Sequence, residues 1–201
     1  MRIISGRAGG TRLKVPGGGD VRPTSDRVKE AVFASLGDIQ ELAVVDLFSG
    51  SGALGLEALS RGATTVCFVE RSDRHIRCIR ENLERVRKCL GEEVLSQADV
   101  RIIRGDVSAL PSLLAGEEGT FDLMLADPPY HPSGKEMGPV ELVSDPAIAA
   151  WSGKSLLVLE HSSDTLVPWA PASAWRLLKN RRFGSRQVSF ARCDQQASLA
   201  T

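Results

Sequence analysis

From residue 43 onward, short apolar runs alternate with amphipathic segments, and this alternation limits the possible folds more than any other feature of the chain. Ala43–Phe48, Thr65–Val69, Val100–Ile103 and Phe121–Ala126 each read as a buried strand bounded by glycine, proline or polar residues. Between them, one helix is expected from about Ala53 to Arg61, closed by Gly62. A second begins at Asp73, places Ile76, Ile79, Leu83, Val86 and Leu90 on one face, and stops at Gly91. Ser108–Leu114 reads as a short helix, and a broken helical stretch from Gly138 to Trp151 restarts at Asp145-Pro146. Ser155–Leu159 is a further apolar run, and Trp175–Arg182 with Gln187–Arg192 reads as an antiparallel hairpin around Gly184. Alternation of this kind predicts a doubly wound, mostly parallel α/β sheet of Rossmann-like type, ending in an antiparallel hairpin. Ligands in such sheets sit beyond the C-terminal strand ends, so chemistry-bearing residues are expected there.

The first twenty residues differ from the rest. Arg2–Ser5 and Thr11–Val15 read as two short strands around a turn rich in glycine (Gly6, Gly9, Gly10), and Pro16-Gly17-Gly18-Gly19 ends them. They are expected to form an N-terminal β-hairpin extension over residues 1–20, ahead of the main domain at 21–201. That domain opens on a helix capped near Asp26, with Val28, Ala31, Val32, Ser35 and Leu36 at helical spacing and Gly37 as its stop.

The chain is electrically neutral, with 25 basic and 25 acidic residues, but the charges are segregated. Residues 1–30 carry seven Lys/Arg against three Asp/Glu, and residues 171–201 carry six against one. Two basic ends therefore flank an acidic middle, and a polyanionic partner remains compatible with zero net charge. The basic stretch from Arg71 to Lys88 is interleaved with Asp73, Glu81 and Glu84 and reads as a solvated helix face. No run approaches the roughly 18 apolar residues of a membrane span, and the N-terminus lacks an apolar leader, so a cytoplasmic protein without a membrane partner is expected. Cys67, Cys78, Cys89 and Cys193 form no CxxC pair, and His75, His131 and His161 offer no ligand spacing, so no metal is expected and the thiols read as free and mostly buried.

Two strand ends carry the chemistry. The first strand runs into Asp46-Leu47-Phe48-Ser49-Gly50-Ser51-Gly52-Ala53-Leu54-Gly55, where glycines 50, 52 and 55 match a G-x-G-x-x-G turn between strand and helix. The second strand ends in Glu70, placed to accept hydrogen bonds from ribose hydroxyls. A nucleoside cofactor is implied, either a dinucleotide or S-adenosylmethionine. Asp46 suits a cation and would repel a pyrophosphate. Cofactor contacts are accordingly expected from Asp46, Phe48, Ser49, Gly50, Gly52, Glu70, Arg71 and Asp127, and from Asp106 at the third strand's end, which also reads as a helix cap.

The fourth strand runs into Asp127-Pro128-Pro129-Tyr130. Two prolines fix two φ angles and leave a rigid rim of acceptors, the Asp127 carboxylate and the Pro128 carbonyl. Such a rim suits an exocyclic amine with two N–H donors, and Tyr130 offers a face on which a base can stack. Together with the glycine turn and Glu70, these four residues favour methyl transfer to an amine over hydride transfer by a nicotinamide enzyme.

With Met1–Gly6 and Gly9-Gly10, Arg22-Pro23-Thr24-Ser25-Asp26-Arg27-Val28-Lys29-Glu30, the stretch from Asp46 to Gly62, and Asp127–Tyr130, the chain resembles the bacterial RsmD-type guanine-N2 methyltransferases of small-subunit rRNA. The DPPY tetrapeptide is shared with adenine-N6 and glutamine methyltransferases, whose substrates are alternatives, as is a non-catalytic rRNA-binding assembly factor. The resemblance implies a methyltransferase domain that moves a methyl group from S-adenosylmethionine to N2 of one guanine in 16S rRNA, on an assembling 30S subunit, as a monomer. By position it implies cofactor contacts at Asp46, Gly50, Gly52, Glu70 and Asp106, and a base held by Asp127, Pro128 and Tyr130. Arg2, Arg7, Arg12, Lys14, Arg22 and Arg27 are expected to hold RNA phosphates. His131 and Lys135 lie near the proposed pocket in sequence without an assigned role, and His75 and His161 read as incidental.

Overall fold

Each apolar run becomes a strand in the computed structural model of the chain, which describes residues 1–16, 26–91, 97–130, 132, 134 and 136–193. Contacts divide it into two compact units, Met1–Gly105 and Asp106–Thr201. In the first unit α1 (Asp26–Leu36) precedes β1 (Ala43–Leu47), α2 (Ala53–Ser60), β2 (Thr65–Glu70), α3 (Asp73–Leu90) and β3 (Asp99–Arg104). These strands are parallel in the order β3-β2-β1, with Val45 opposite Cys67 and Cys67 opposite Arg101. Val44, Val45, Leu47 and the run Val66–Val69 have no exposed surface. Helices cover both faces of such strands, which is why they read as continuous apolar runs and not as alternating ones.

In the second unit a single 3₁₀ turn at Val107–Ala109 leads into α4 (Leu110–Leu113), where one short helix is expected from sequence. Then come β4 (Leu123–Ala126), α5 (Pro139–Ser144), α6 (Pro146–Ser152), β5 (Leu156–Ser162), β6 (Trp175–Phe183) and β7 (Arg186–Cys193). Asp145 caps α6 through Ala147 N–H and Ile148 N–H at 2.8 and 3.1 Å, so the helical stretch does break at Asp145-Pro146. β4 and β5 are parallel, β7 is antiparallel to both β5 and β6, and the order is β4-β5-β7-β6.

The opening segment departs most from expectation. Arg2 and Arg12 form a single antiparallel bridge, backed by Ile3 N–H to Thr11 O and Gly10 N–H to Ile3 O, both 2.9 Å. The ribbon is too short for two strands, and side chains of the first unit hold it instead. Glu57, on α2 and with no exposed surface, accepts the N–H groups of Ile4 and Ser5 at 2.7 and 3.0 Å. The same carboxylate meets Lys29 Nζ of α1 at 3.1 Å and Arg61 Nε at 2.9 Å. Lys29, equally buried, also donates to the Arg2 carbonyl. Burial pushes the Lys29 ammonium below its usual range, and Glu57 opposes that shift. A second clamp comes from α3, where Asn82 donates to the carbonyls of Lys14 and Ser51 at 3.0 and 2.9 Å and accepts Lys14 N–H at 2.8 Å.

None of the four cysteines is in a disulfide. Cys67 and Cys78 are buried, but Cys89 is exposed, because it falls on the outer face of the last turn of α3. Among the described residues no helix is long and apolar enough to cross a membrane.

Removing one partner of a buried ion pair leaves the other charge uncompensated, at a cost of about 3–5 kcal/mol. Glu57→Leu strands Lys29 and two backbone donors together, whereas Lys29→Met leaves Glu57 paired with Arg61. Urea denaturation is expected to show a loss in that range for Glu57→Leu and a smaller one for Lys29→Met.

Candidate active site

At the end of β1 the backbone turns sharply to reach α2. Gly50 and Gly52 have φ of 56° and 77°, and even Phe48 is left-handed at 56°, a conformation that costs a bulky residue energy and that tends to occur at functional sites. Ser49 pins the turn by donating its hydroxyl to the Asp46 carbonyl at 2.6 Å. A Cβ on Gly55 would come within 2.4 Å of the Phe68 ring, so glycine there lets α2 lie close on the sheet. Asp46 is 1% exposed, and its Oδ2 accepts Gly55 N–H at 2.9 Å. The chain's own carboxylate thus occupies the positive end of α2, the place where a dinucleotide's pyrophosphate would bind.

Glu70, the last residue of β2, reaches back to the same turn. Its Oε2 accepts Gly50 N–H at 2.8 Å, and its Oε1 accepts Ser72 N–H at 2.8 Å. His75 Nδ1 lies 3.5 Å from Oε1, so this histidine is not incidental: it touches the expected cofactor carboxylate from the first turn of α3. Burial pushes the Glu70 carboxyl upward, but His75 and the Ser72 and Gly50 amides outweigh it, and the net shift is downward. Oε1 is taken up by Ser72 and His75, whereas Oε2, bonded to Gly50 alone, has a second lone pair available for a ligand hydroxyl.

In the second unit β4 delivers Asp127, half-buried, then Pro128, buried, Pro129, exposed, and Tyr130, half-buried. The Tyr130 hydroxyl donates to Glu160 Oε1 at 2.8 Å, and Arg186 Nη1 donates to the same oxygen at 2.7 Å. Burial and the Glu160 and Asp127 carboxylates push the phenol above its usual range, so it stays protonated and remains a donor. Glu160 lies on β5 and Arg186 opens β7; with Glu160 opposite Val188 and Ser162 opposite Arg186, the two side chains are diagonal neighbours on one face. Neither residue is expected from sequence, because the pair exists only through a strand register that joins positions 26 residues apart.

A family model described as "Conserved hypothetical protein 95" matches residues 1–192. The chain belongs to this family. Ribosomal RNA small subunit methyltransferase D of Haemophilus influenzae is 32% identical over 188 residues, covering 92% of this chain and 89% of that protein, in agreement with the RsmD-type resemblance. A hypothetical protein of Thermus thermophilus has a solved structure that superposes with a TM-score of 0.72 at 28% identity, over 94% of this chain and 98% of that one. An RNA methyltransferase of Salinibacter ruber, solved in complex with S-adenosyl-L-homocysteine, shares the fold at 16% identity with a TM-score of 0.57, over 87% of this chain and 95% of that one. The Rossmann-like sheet expected from the strand–helix alternation, and the methyltransferase fold that the resemblance implies, are therefore the fold of this family member.

The other residues singled out in this family member are placed as follows. Asp106 caps the 3₁₀ turn, accepting Ser108 N–H at 3.0 Å and the Ser108 hydroxyl at 2.8 Å, so the capping role is realised. Arg71 is exposed just after Glu70. Arg2, Arg7, Arg12, Lys14 and Arg27 are all exposed, while Arg22, His131 and Lys135 lie outside the described residues. Arg2 pairs with Asp26 at 3.5 Å and Lys14 with Glu81. Exposed pairs of this kind contribute little, so a phosphate could replace the carboxylate at little cost. His161, buried, bonds the Ser162 carbonyl at 2.9 Å and the Ser189 hydroxyl at 2.8 Å, which accounts for it as an internal strand-to-strand link.

The lowered Glu70 carboxyl has a stability consequence with a definite sign. Its contribution is complete above the unfolded carboxyl value near 4.3 and is lost as pH falls through the lower folded value. In thermal melts from pH 7 down to pH 3, the gap between wild type and Glu70→Gln is expected to be open at pH 7 and to close in the acid range. A gap of constant size would refute this account of Glu70.

Proposed function

We propose that this chain methylates the exocyclic N2 of a single guanine in 16S rRNA, with S-adenosylmethionine as methyl donor and an assembling small subunit as substrate. Membership of a family matched over residues 1–192, with a relative named as an rRNA methyltransferase, supports the reaction class. A nucleobase amine as acceptor, as against a protein side chain, is supported chiefly by one observation, the tie between the Tyr130 hydroxyl and Glu160, and guanine by the RsmD-type resemblance. With its one donor engaged inside the protein, Tyr130 offers substrate its ring face and no hydrogen-bond donor, as a stacking platform for a base should. Base edges are then left to Asp127 and the Pro128 carbonyl.

The residues around the glycine turn suit S-adenosylmethionine. Left-handed glycines allow close backbone approach, Glu70 keeps a lone pair on Oε2 for a ribose hydroxyl, and Asp46 places negative charge where a sulfonium and an ammonium are welcome. S-adenosylmethionine supplies an electrophilic methyl group when bound. Asp127 and the Pro128 carbonyl accept the two N–H bonds of the target amine, which draws its lone pair out of conjugation with the ring. Much of the acceleration then comes from holding two reactants in line. The base must leave its stack to reach this rim. Asp127 Oδ takes a proton only after the amine has gained positive charge, so no strong base is needed.

Methyl transfer to naked rRNA, to small subunits, to DNA and to a glutamine-containing protein substrate, followed by mapping of the product, tests the assignment. N2-methylguanine in small-subunit rRNA is the expected product. N6-methyladenine or methylglutamine alone would replace this function with that of another DPPY enzyme.

Asp127→Ala is expected to lower turnover by about 10²-fold or more, with methyl-donor binding by calorimetry nearly unchanged. Loss of both together would overturn the division of roles. Tyr130→Ala is expected to lower kcat/KM by about 5- to 150-fold, the equivalent of about 1–3 kcal/mol of stacking, and Tyr130→Phe by much less, because the ring survives.

A further inference from the structure

α3 carries six basic residues and three acidic ones, which in sequence read as a solvated, self-compensating face. In the fold two of the three acids are engaged off the helix, and the third with a neighbour on it. Glu81 pairs with Lys14, Glu84 with Arg87 at 3.1 Å, and Asp73 holds Arg104 of β3 through two contacts of 2.9 and 3.0 Å. Among the described residues, Arg77 and Arg80 have no carboxylate within ion-pair distance. Both are exposed, as is Arg74 three residues earlier on the same stripe of the helix.

Arg77 and Arg80 line an open groove of about 280 Å³ whose other walls are Asp73, Ile76, Ile102 and Arg104. Three guanidiniums against one carboxylate leave it with a net positive charge, and Ile76 and Ile102 make part of it apolar. The groove lies along β3, which ends the strand order and, among the described residues, has one edge without a partner strand. It also lies at the chemically relevant end of the strands, because Arg104 stands directly opposite Glu70 in the β2–β3 register. An open cleft with this charge suits a stretch of polyanionic chain better than an enclosed small ligand.

We propose that the groove between α3 and β3 holds the sugar–phosphate backbone of the RNA substrate, an inference that rests on the rRNA function proposed above. Arg77 and Arg80 take phosphate oxygens, Arg104 is fixed at the rim by Asp73, and the isoleucines lie under a ribose. Held this way, the RNA passes one strand away from Glu70 and is gripped by a surface separate from the opening segment.

Each phosphate contact to single-stranded RNA contributes about 0.7 to the slope of log affinity against log salt. Binding of the full chain to rRNA fragments is therefore measured across a salt series for wild type, for Arg77→Gln/Arg80→Gln, and for Lys88→Gln/Lys154→Gln, which removes the same charge at exposed residues that do not line the groove. The groove variant is expected to lose about 1.4 from the slope, equivalent to roughly tenfold in affinity near physiological salt. The control pair should retain the wild-type slope, and all three proteins should bind the methyl donor equally. An unchanged slope in the groove variant, or an equal loss in both variants, overturns the proposal. A wild-type chain that binds RNA through the groove yet methylates no rRNA would overturn the proposed function and leave the groove standing, whereas failure to bind RNA at all overturns both.

Discussion

Glu57 is a carboxylate with no exposed surface that gathers four donors: two backbone amides of the opening segment, Lys29 of α1 and Arg61 at the end of its own helix. A charge in that position is tolerable only if all its partners are present. Its helix, α2, begins at the glycine turn, where Asp46 and Glu70 hold the other end through Gly55 and Gly50. The turn is thus fixed at both ends of α2 by buried carboxylates. Its left-handed backbone at Phe48 persists because the surroundings over-determine it.

Much of this was legible in the residue pattern. The parallel strands appear as unbroken apolar runs because both faces are covered, and α3 runs from its Ser72 cap to Gly91 as the periodicity requires. Asp46, the glycines, Glu70 and the DPPY tetrapeptide all stand at strand ends, where this class of sheet binds ligands. What the pattern hid were contacts that depend on three-dimensional register. Lys29 and Glu57 look like ordinary surface charges on two amphipathic helices, and nothing local distinguishes them from Glu30 or Arg61. Glu160 and Arg186 meet only once β5 and β7 pair, and His75 reaches Glu70 only across the first turn of α3. The opening residues have strand-like composition, yet their backbone groups bond to side chains of α2 and α3 in place of a second strand.

The charges buried by these contacts are mostly acidic. Asp46, Glu57, Glu70 and Glu160 are all buried and serve as internal acceptors, whereas Lys29 is the one buried lysine or arginine among the described residues. Those four carboxylates build the turn, the opening clamp and the tyrosine anchor, whereas Arg2, Arg7, Arg12, Lys14 and Arg27 remain exposed. Exposed basic side chains of this kind are the ones a long-range anionic partner would meet.

Asn82 makes the opening segment and the glycine turn inseparable. Both hydrogens of its amide and its oxygen are engaged, and they join the backbone of Lys14 to the Ser51 carbonyl. A shortened chain lacking the first sixteen residues would not be this domain minus an arm. It would leave a fully buried amide short of two partners while still bonded to the Ser51 carbonyl of the glycine turn. The N-terminal residues are in this sense a structural wall of the first unit, and any variation in them is also variation in the turn.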